Sequence, residues 1–487
     1  MQNDQIGDKM ATYHDFLTVK SQMGQAAGFS PVFMPDCLFD FQKHLVEWAV
    51  LRGRSAMFAD CGLGKTLMEL TWAENVHRKT NKPVILLTPL AVAPQIVSEA
   101  DKFDIEAKLS MTGKVTSSIV VTNYEKLEKF SPNDYVGCIC DESSILKSYN
   151  GATRKAITRF INKMPYRLLA TATAAPNDWI ELGTSSEALG ELNHSDMLQR
   201  FFAQLDDKGQ KRERRLQNEA ERIVESNQNY YKKLAYRVSQ TIGQYRLKHH
   251  AVEHFWRWVS SWARACRMPS DLGFDDGDFI LPPLTERDHI IGIDTPPEGY
   301  LFNLPAFGLS EEREERKRTL QQRCEFVADL VNHNRPAVIW CQMNAEGDLL
   351  EKIIPDAQQI AGRTPDERKI ELYEAFASGQ QRIMVIKPKI GAWGLNWQHC
   401  NHVVSFATHS YEQHYQSVRR CWRFGQKNPV HLDVVATQGE ARVLANMRNK
   451  GRKADEMFSR MITEMNHATQ IKRIDKYTNT QELPQWL

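Results

Sequence analysis

No stretch of this 487-residue chain stays apolar for the roughly 20 residues that a membrane-spanning helix needs. The richest run, residues 84–93, is short and is interrupted by Pro89. The first ten residues, MQNDQIGDKM, lack the basic-then-apolar pattern of an export signal, so a cytoplasmic protein with no membrane partner is expected. A disulfide framework is missing too. The nine cysteines are odd in number and scattered, which suits a reducing compartment. Cys138 and Cys140 form the one close pair, on an apolar run that reads as strand packing rather than zinc ligation. Charge of one sign is also lacking: 62 Lys and Arg face 60 Asp and Glu, a formal net charge of +2. Bulk charge therefore makes no case for nucleic acid, and any basic track must be local. Repeats of solenoid period and low-complexity tracts are absent from the sequence.

What remains is average soluble composition, 42% apolar and 25% charged, in a chain long enough for two or three domains. Short apolar β-rich runs alternate with helical patterns, the mark of parallel α/β sheets. They fall at 56–58, 84–87, 118–121, 136–140 and 167–170, stop near Leu182, and resume at 337–340, 382–386, 402–405 and 430–435. Between the two blocks lie the mixed-charge stretches 211–225 and 311–323, each expected as a solvated helix. Residues 245–268 interleave Arg246, Lys248, His249 and His250 with Phe255, Trp256, Trp258 and Trp262. Such a stretch could meet DNA, but a Trp-rich helix is more often core. His249, His250 and His254 lack a carboxylate partner for a metal. Asp275, Asp276 and Asp278 read as an acidic turn, since the remaining ligands of a calcium loop are missing.

Chemistry concentrates at three places. Residues 59–66 (ADCGLGKT) follow a short strand and open a helix. Gly62 and Gly64 let backbone N–H groups wrap phosphates at a helix N-terminus. Lys65 would reach the β- and γ-phosphates of ATP, and Thr66 would hold Mg²⁺. Second, residues 138–142 (CICDE) put Asp141 and Glu142 at a strand end, the ligand-facing edge of a parallel sheet. One carboxylate can hold Mg²⁺ while its neighbour activates water. Third, residues 416–423 (QSVRRCWR) place Arg420 and Arg423 one helical turn apart, suited to act on a γ-phosphate if the second block faces the first across a cleft.

The order of these motifs resembles the superfamily 2 helicases, and most closely their Swi/Snf-like branch, including short phage and prophage versions. The resemblance runs from about Leu38 to Val435. Residues 38–42 (LFDFQ) resemble the adenine-reading motif, with Gln42 as reader. Thr88 with Glu99, and residues 122–125 (TNYE), resemble strand-contacting motifs. Residues 141–147 (DESSILK) match the DExx box, and 171–177 (TATAAPN) resemble the motif linking hydrolysis to nucleic acid. Residues 360–364, Arg368, 387–396 (KPKIGAWGLN) and Gln398 resemble the later motifs. Residues 411–426, with Gln416 and the closing RFGQ, complete the set. Departures are Phe39 where arginine is common, Gln95-Ile96 in place of the usual tryptophan, Ala172 and Ala174 around Thr173, and the Ser-Ser of the DExx box.

The resemblance implies two tandem RecA-like lobes with parallel sheets and a helical insertion. The expected layout is an extension at 1–37, lobe one at 38–190, insertion and linker at 191–325, lobe two at 326–440, and a helix and tail at 441–487. It implies an ATP- and Mg²⁺-dependent DNA translocase or helicase. Thr88 and Thr122 in lobe one, with Lys387, Lys389 and Asn396 in lobe two, would grip the strand. Alternatives are an ATP-gated clamp that recruits a protein partner and, less favoured by the Asp-Glu-Ser-Ser box, an RNA helicase.

Overall fold

The computed structural model describes residues 27–90, 92–175, 179–205, 241–242, 245–292, 309–391 and 395–469. The mixed-charge stretch 211–225, the end of the 171–177 motif and the last residues of the tail lie outside them. The chain divides into two compact units. One comprises Met1–Asp60, Gly64–Asp275 and Lys453–Leu487; the other comprises Cys61–Leu63 and Asp276–Arg452.

The first unit is built on β1 (Arg54–Ala59), β2 (Val84–Thr88), β3 (Ala107–Leu109), β4 (Ile119–Asn123), β5 (Gly137–Asp141) and β6 (Tyr166–Ala170). A small antiparallel sheet follows, from β7 (Phe202–Gln204), β8 (Thr241–Ile242) and β9 (Tyr245–Leu247). Then β10 (Ala263–Cys266) joins the large sheet, whose order is β10-β1-β6-β5-β2-β4-β3 with every pairing parallel. Strands β2, β4 and β5 are buried along their whole length, as continuous apolar runs in a covered parallel sheet must be.

The tryptophan-rich stretch resolves into the helix Val252–Trp262, which buries Phe255, Trp256, Trp258 and Trp262 in the core of this unit. It is therefore packing, not a DNA surface. Among the described residues no group of His, Cys, Asp and Glu has the arrangement of a metal site, so the His249–His254 cluster holds none. Strand β10 falls inside the expected insertion yet belongs to the first sheet. Its four residues, Ala-Arg-Ala-Cys, carry no β-branched or aromatic signal, and only pairing with β1 makes them a strand.

The second unit has six parallel strands: β11 (Leu284–Ile291), β12 (Ala337–Trp340), β13 (Ala357–Ile360), β14 (Ile383–Ile386), β15 (His402–Phe406) and β16 (Val430–Thr437). Their order is β11-β16-β15-β12-β14-β13. Strand β11 lies ahead of the expected boundary at 326. It is an edge strand with alternating charge, Leu-Thr-Glu-Arg-Asp-His, so it lacks the apolar run that marked its neighbours. It is tied inward by a chain of imidazoles. His289 Nε2 lies 2.7 Å from Asp433 Oδ1, His402 Nε2 lies 2.8 Å from Asp433 Oδ2, and His333 Nε2 lies 2.7 Å from His402 Nδ1. Both units are parallel α/β sheets of the RecA-like kind.

The helix Ala441–Thr469 closes the described chain. Its residues up to Arg452 group with the second unit and those from Lys453 with the first, where Met457, Phe458 and Met461 enter the core.

Candidate nucleotide site

Register brings the first unit's functional side chains to one level. Leu87 pairs with Cys140 and Asp141 pairs with Ala170, so Thr88, Asp141 and Thr171 stand side by side at the strand ends. Met57 of β1 is level with Ala170, so the loop that opens after Ala59 leaves the sheet at the same edge. In a parallel sheet this carboxyl edge is where ligands bind.

The loop itself is shaped by two glycines. Gly62 has φ 91° and Gly64 has φ 75°, both left-handed, where a side chain is strained. Gly64 then caps the helix Lys65–Thr80, whose N-terminal N–H groups are the natural seat of an anion. Lys65 folds back over the loop and donates to the carbonyls of Ala59 at 2.9 Å and Asp60 at 3.2 Å. Gln42, on the helix Asp40–Arg52, is buried beside Gly64: a Cβ added there would meet its Nε2 at 2.4 Å. Its Oε1 accepts from Phe39 N at 3.0 Å, completing that helix's N-terminal capping box.

Asp141 and Glu142 are divided between two partners. Thr88 Oγ1 donates to Asp141 Oδ2 at 2.7 Å, and Tyr124 Oη donates to the Asp141 carbonyl at 2.5 Å. Glu142 turns the chain off the strand at φ 49°, a left-handed conformation that costs a non-glycine residue about 1–3 kcal/mol and recurs at functional sites. That turn aims its carboxylate the other way, where Thr171 Oγ1 donates to Oε2 at 3.2 Å. Thr171 Oγ1 in turn accepts from Thr173 N at 3.1 Å. Burial raises the Asp141 carboxyl above its ordinary range, against the opposing effects of the Thr88 bond and the Lys65 charge. Glu69, one turn beyond Lys65, is wholly buried and is pushed well above its usual range by burial, then by the charge of Asp141.

These residues suit ATP and Mg²⁺. Two positive-φ glycines make room for phosphates, and the Thr66 hydroxyl with the Asp141 carboxylate offers the oxygen donors a hard cation prefers.

The strand-gripping residues fare unequally. Thr88 and Thr122 are both 0% exposed, and the Thr88 hydroxyl is committed to Asp141. Expecting these side chains to hold a strand missed that the last residue of a central strand points into the site or the core. In the second unit, Lys389 on the short helix Pro388–Gly391 and Asn396 are exposed, while Lys387 donates from Nζ to Asn344 Oδ1 at 2.6 Å. The intervening residues 392–394 lie outside the described chain.

Arg420 and Arg423 are not neighbours on a helix face. The helix Tyr411–Val418 ends before them, and the arginines lie in the turns beyond. They converge all the same: Arg420 Nη1 and Arg423 Nη1 donate to the one carbonyl of Leu395, at 3.1 and 3.2 Å. Gln416 fixes the first of them, its Oε1 accepting from Arg420 Nη2 at 2.8 Å. Gln416 is fully buried, so it acts here through Arg420.

Three participants went unmarked at the sequence level. Glu69 could have been found from its spacing, four residues after Lys65 on the same helix face. Thr171 and Tyr124 lay inside quoted motifs, but only register shows which acidic residue each one serves.

The model of the helicase conserved C-terminal domain matches residues 320–425, spanning β12 to β15 and both arginines. No curated protein matches the chain. Among solved structures the chain is similar to a Sulfolobus solfataricus SWI2/SNF2 ATPase core in complex with dsDNA, with 14% identity over 90% of this chain and 96% of that one. The TM-score of 0.38 is too low for that likeness to support a conclusion. With the conserved C-terminal domain matched in the second unit, and the motif order running through both sheets, the chain belongs to the superfamily 2 helicases and is Swi/Snf-like in its motifs.

Proposed function

We propose that the protein is an ATP-dependent DNA translocase that hydrolyses ATP at the edge of the first sheet. The observation that carries the reading is the division of labour at the end of β5. Asp141 is held by Thr88 and Glu142 by Thr171, so adjacent carboxyls are fixed for different tasks. A site that only binds nucleotide has no need of the second. Thr66 and Asp141 would hold Mg²⁺, which when bound neutralises charge building on the phosphate oxygens. Lys65 binds phosphate, Glu142 orients and deprotonates the attacking water, and Gln42 lies where the base would be read. Arg420 and Arg423, bundled on the Leu395 carbonyl, are the cations offered to the γ-phosphate when both units engage one nucleotide.

DNA as the track rests on the Swi/Snf-like motif order, and in the second unit Lys389 and Asn396 are exposed and available to phosphates. The test is ATP turnover at stated salt with duplex DNA, single-stranded DNA and RNA, in wild type, Lys65→Ala and Glu142→Gln. Stimulation by duplex DNA, lost in both variants, is expected; turnover indifferent to every nucleic acid would favour an ATP-gated clamp. Displacement of a triplex third strand without separation of the duplex would mark a translocase rather than an unwinding helicase.

A further inference from the structure

Glu69 is an acid where the fold needs none. It lies inside the helix Lys65–Thr80 between Met68 and Leu70, both core residues, and is itself 0% exposed. Among the described residues neither of its carboxyl oxygens has a hydrogen-bond partner. Buried polar groups are nearly always paired, and a solitary one calls for an explanation. A methionine or leucine would pack this position without leaving acceptors empty.

The surroundings supply the explanation. The charges acting on Glu69 are those of Asp141, Lys65, Glu142 and Glu99, three of them negative. The single cation, Lys65, directs its ammonium to the carbonyls of Ala59 and Asp60. Thr88 occupies one oxygen of Asp141. The pocket behind the phosphate loop thus carries more negative charge than the chain balances, and its deepest acid has nothing to accept from.

Mg²⁺ dehydrates reluctantly and keeps several waters even when one or two protein oxygens and a nucleotide bind it. Those waters donate hydrogen bonds and need acceptors. We infer that Glu69 is a positioning residue of the cation site, accepting from the water shell of the Mg²⁺ that Thr66 and Asp141 would hold. It acts through that water and touches neither phosphate nor the attacking water. This role rests on the ATP–Mg²⁺ reading above, and outer-shell partners of this kind are worth 10- to 100-fold in metal affinity.

Mn²⁺ is a spectroscopic stand-in for the experiment, titrated by electron paramagnetic resonance into full-length protein with a non-hydrolysable ATP analogue. Glu69→Gln preserves shape and removes the charge. It is expected to weaken Mn²⁺ binding at least about 10-fold, while the nucleotide-free protein melts at the same temperature or higher. Glu69→Asp, shorter but still anionic, is expected to keep more affinity than Glu69→Gln, and it serves alone if the glutamine variant does not fold. Mn²⁺ affinity equal to wild type in Glu69→Gln overturns the inference, as does a lowered melting temperature with unchanged cation binding. If wild type itself binds no Mn²⁺–nucleotide, the ATP reading fails and the inference with it, an outcome plainly different from a loss confined to the variants.

Discussion

The hydroxyl of Thr88 donates to Asp141 Oδ2 at 2.7 Å, and the register of β2 on β5 dictates the pairing. A residue expected to hold a nucleic-acid strand instead aims one of the two acids of the hydrolytic centre. Thr88→Val keeps the volume and removes the donor. ATP turnover measured without nucleic acid should fall about 10- to 100-fold, with a higher Mg²⁺ requirement, as for loss of an outer-shell partner. Thr88→Ser should retain most activity. Were basal turnover unchanged and DNA affinity alone reduced, the strand-contact role would be restored.

Thr171 serves Glu142 as Thr88 serves Asp141. Glu142→Gln removes the base itself, and general bases contribute about 10²- to 10⁴-fold. Thr171→Val leaves the base but frees its orientation, so kcat should drop by a smaller factor with KM for ATP unchanged. Groups in one chain of hydrogen bonds are not additive. Thr171→Val should therefore cost little more in a Glu142→Gln background, and full additivity in the double variant would show that the two act separately.

The sequence displayed the engine and concealed its supports. Nine strands were visible because central parallel strands are continuous apolar runs, and the phosphate loop and the acidic pair follow two of them directly. Strands β10 and β11 were not visible: one is Ala-Arg-Ala-Cys, the other is charged along its length, and both owe their form to neighbours distant in sequence. The arginine pair was legible as chemistry but not as geometry. Helical periodicity placed Arg420 and Arg423 on one face, whereas the helix ends at Val418 and the shared Leu395 carbonyl brings them together. Glu69 illustrates the opposite case: its position was plain, and only burial without a partner made it notable.

Gly64 is constrained twice. Its φ of 75° is left-handed, and a Cβ would meet Gln42 Nε2 at 2.4 Å. Gly64→Ala should therefore abolish detectable nucleotide binding in a fluorescent-ATP titration and destabilise the protein by about 1–2 kcal/mol from backbone strain. Gln42→Ala alone should weaken adenine selectivity without such a loss of stability. The double variant removes the clash but not the strain, so it should recover binding only in part. Full recovery would mean that the glycine is required for space alone.

His414 gives the protein a pH dependence with a definite sign. It is buried on the helix Tyr411–Val418, and burial, followed by the charge of Arg448, lowers its pKa from the ordinary 6.5 to about 4, with Asp288 opposing. The folded state therefore resists a proton that the unfolded chain accepts. The resulting stability is complete above about pH 6.5 and is lost as pH falls toward 4. Between pH 7.5 and pH 5 the loss from this one group should reach about 2 kcal/mol. His333, His399 and His431 are shifted in the same direction, so wild type alone does not isolate it. The measurement is urea unfolding at both pH values in wild type and His414→Gln, followed by tryptophan fluorescence. The variant should lose about 2 kcal/mol less than wild type over that interval. Equal losses in the two proteins would mean that His414 takes up its proton without resistance, through a local opening of its helix.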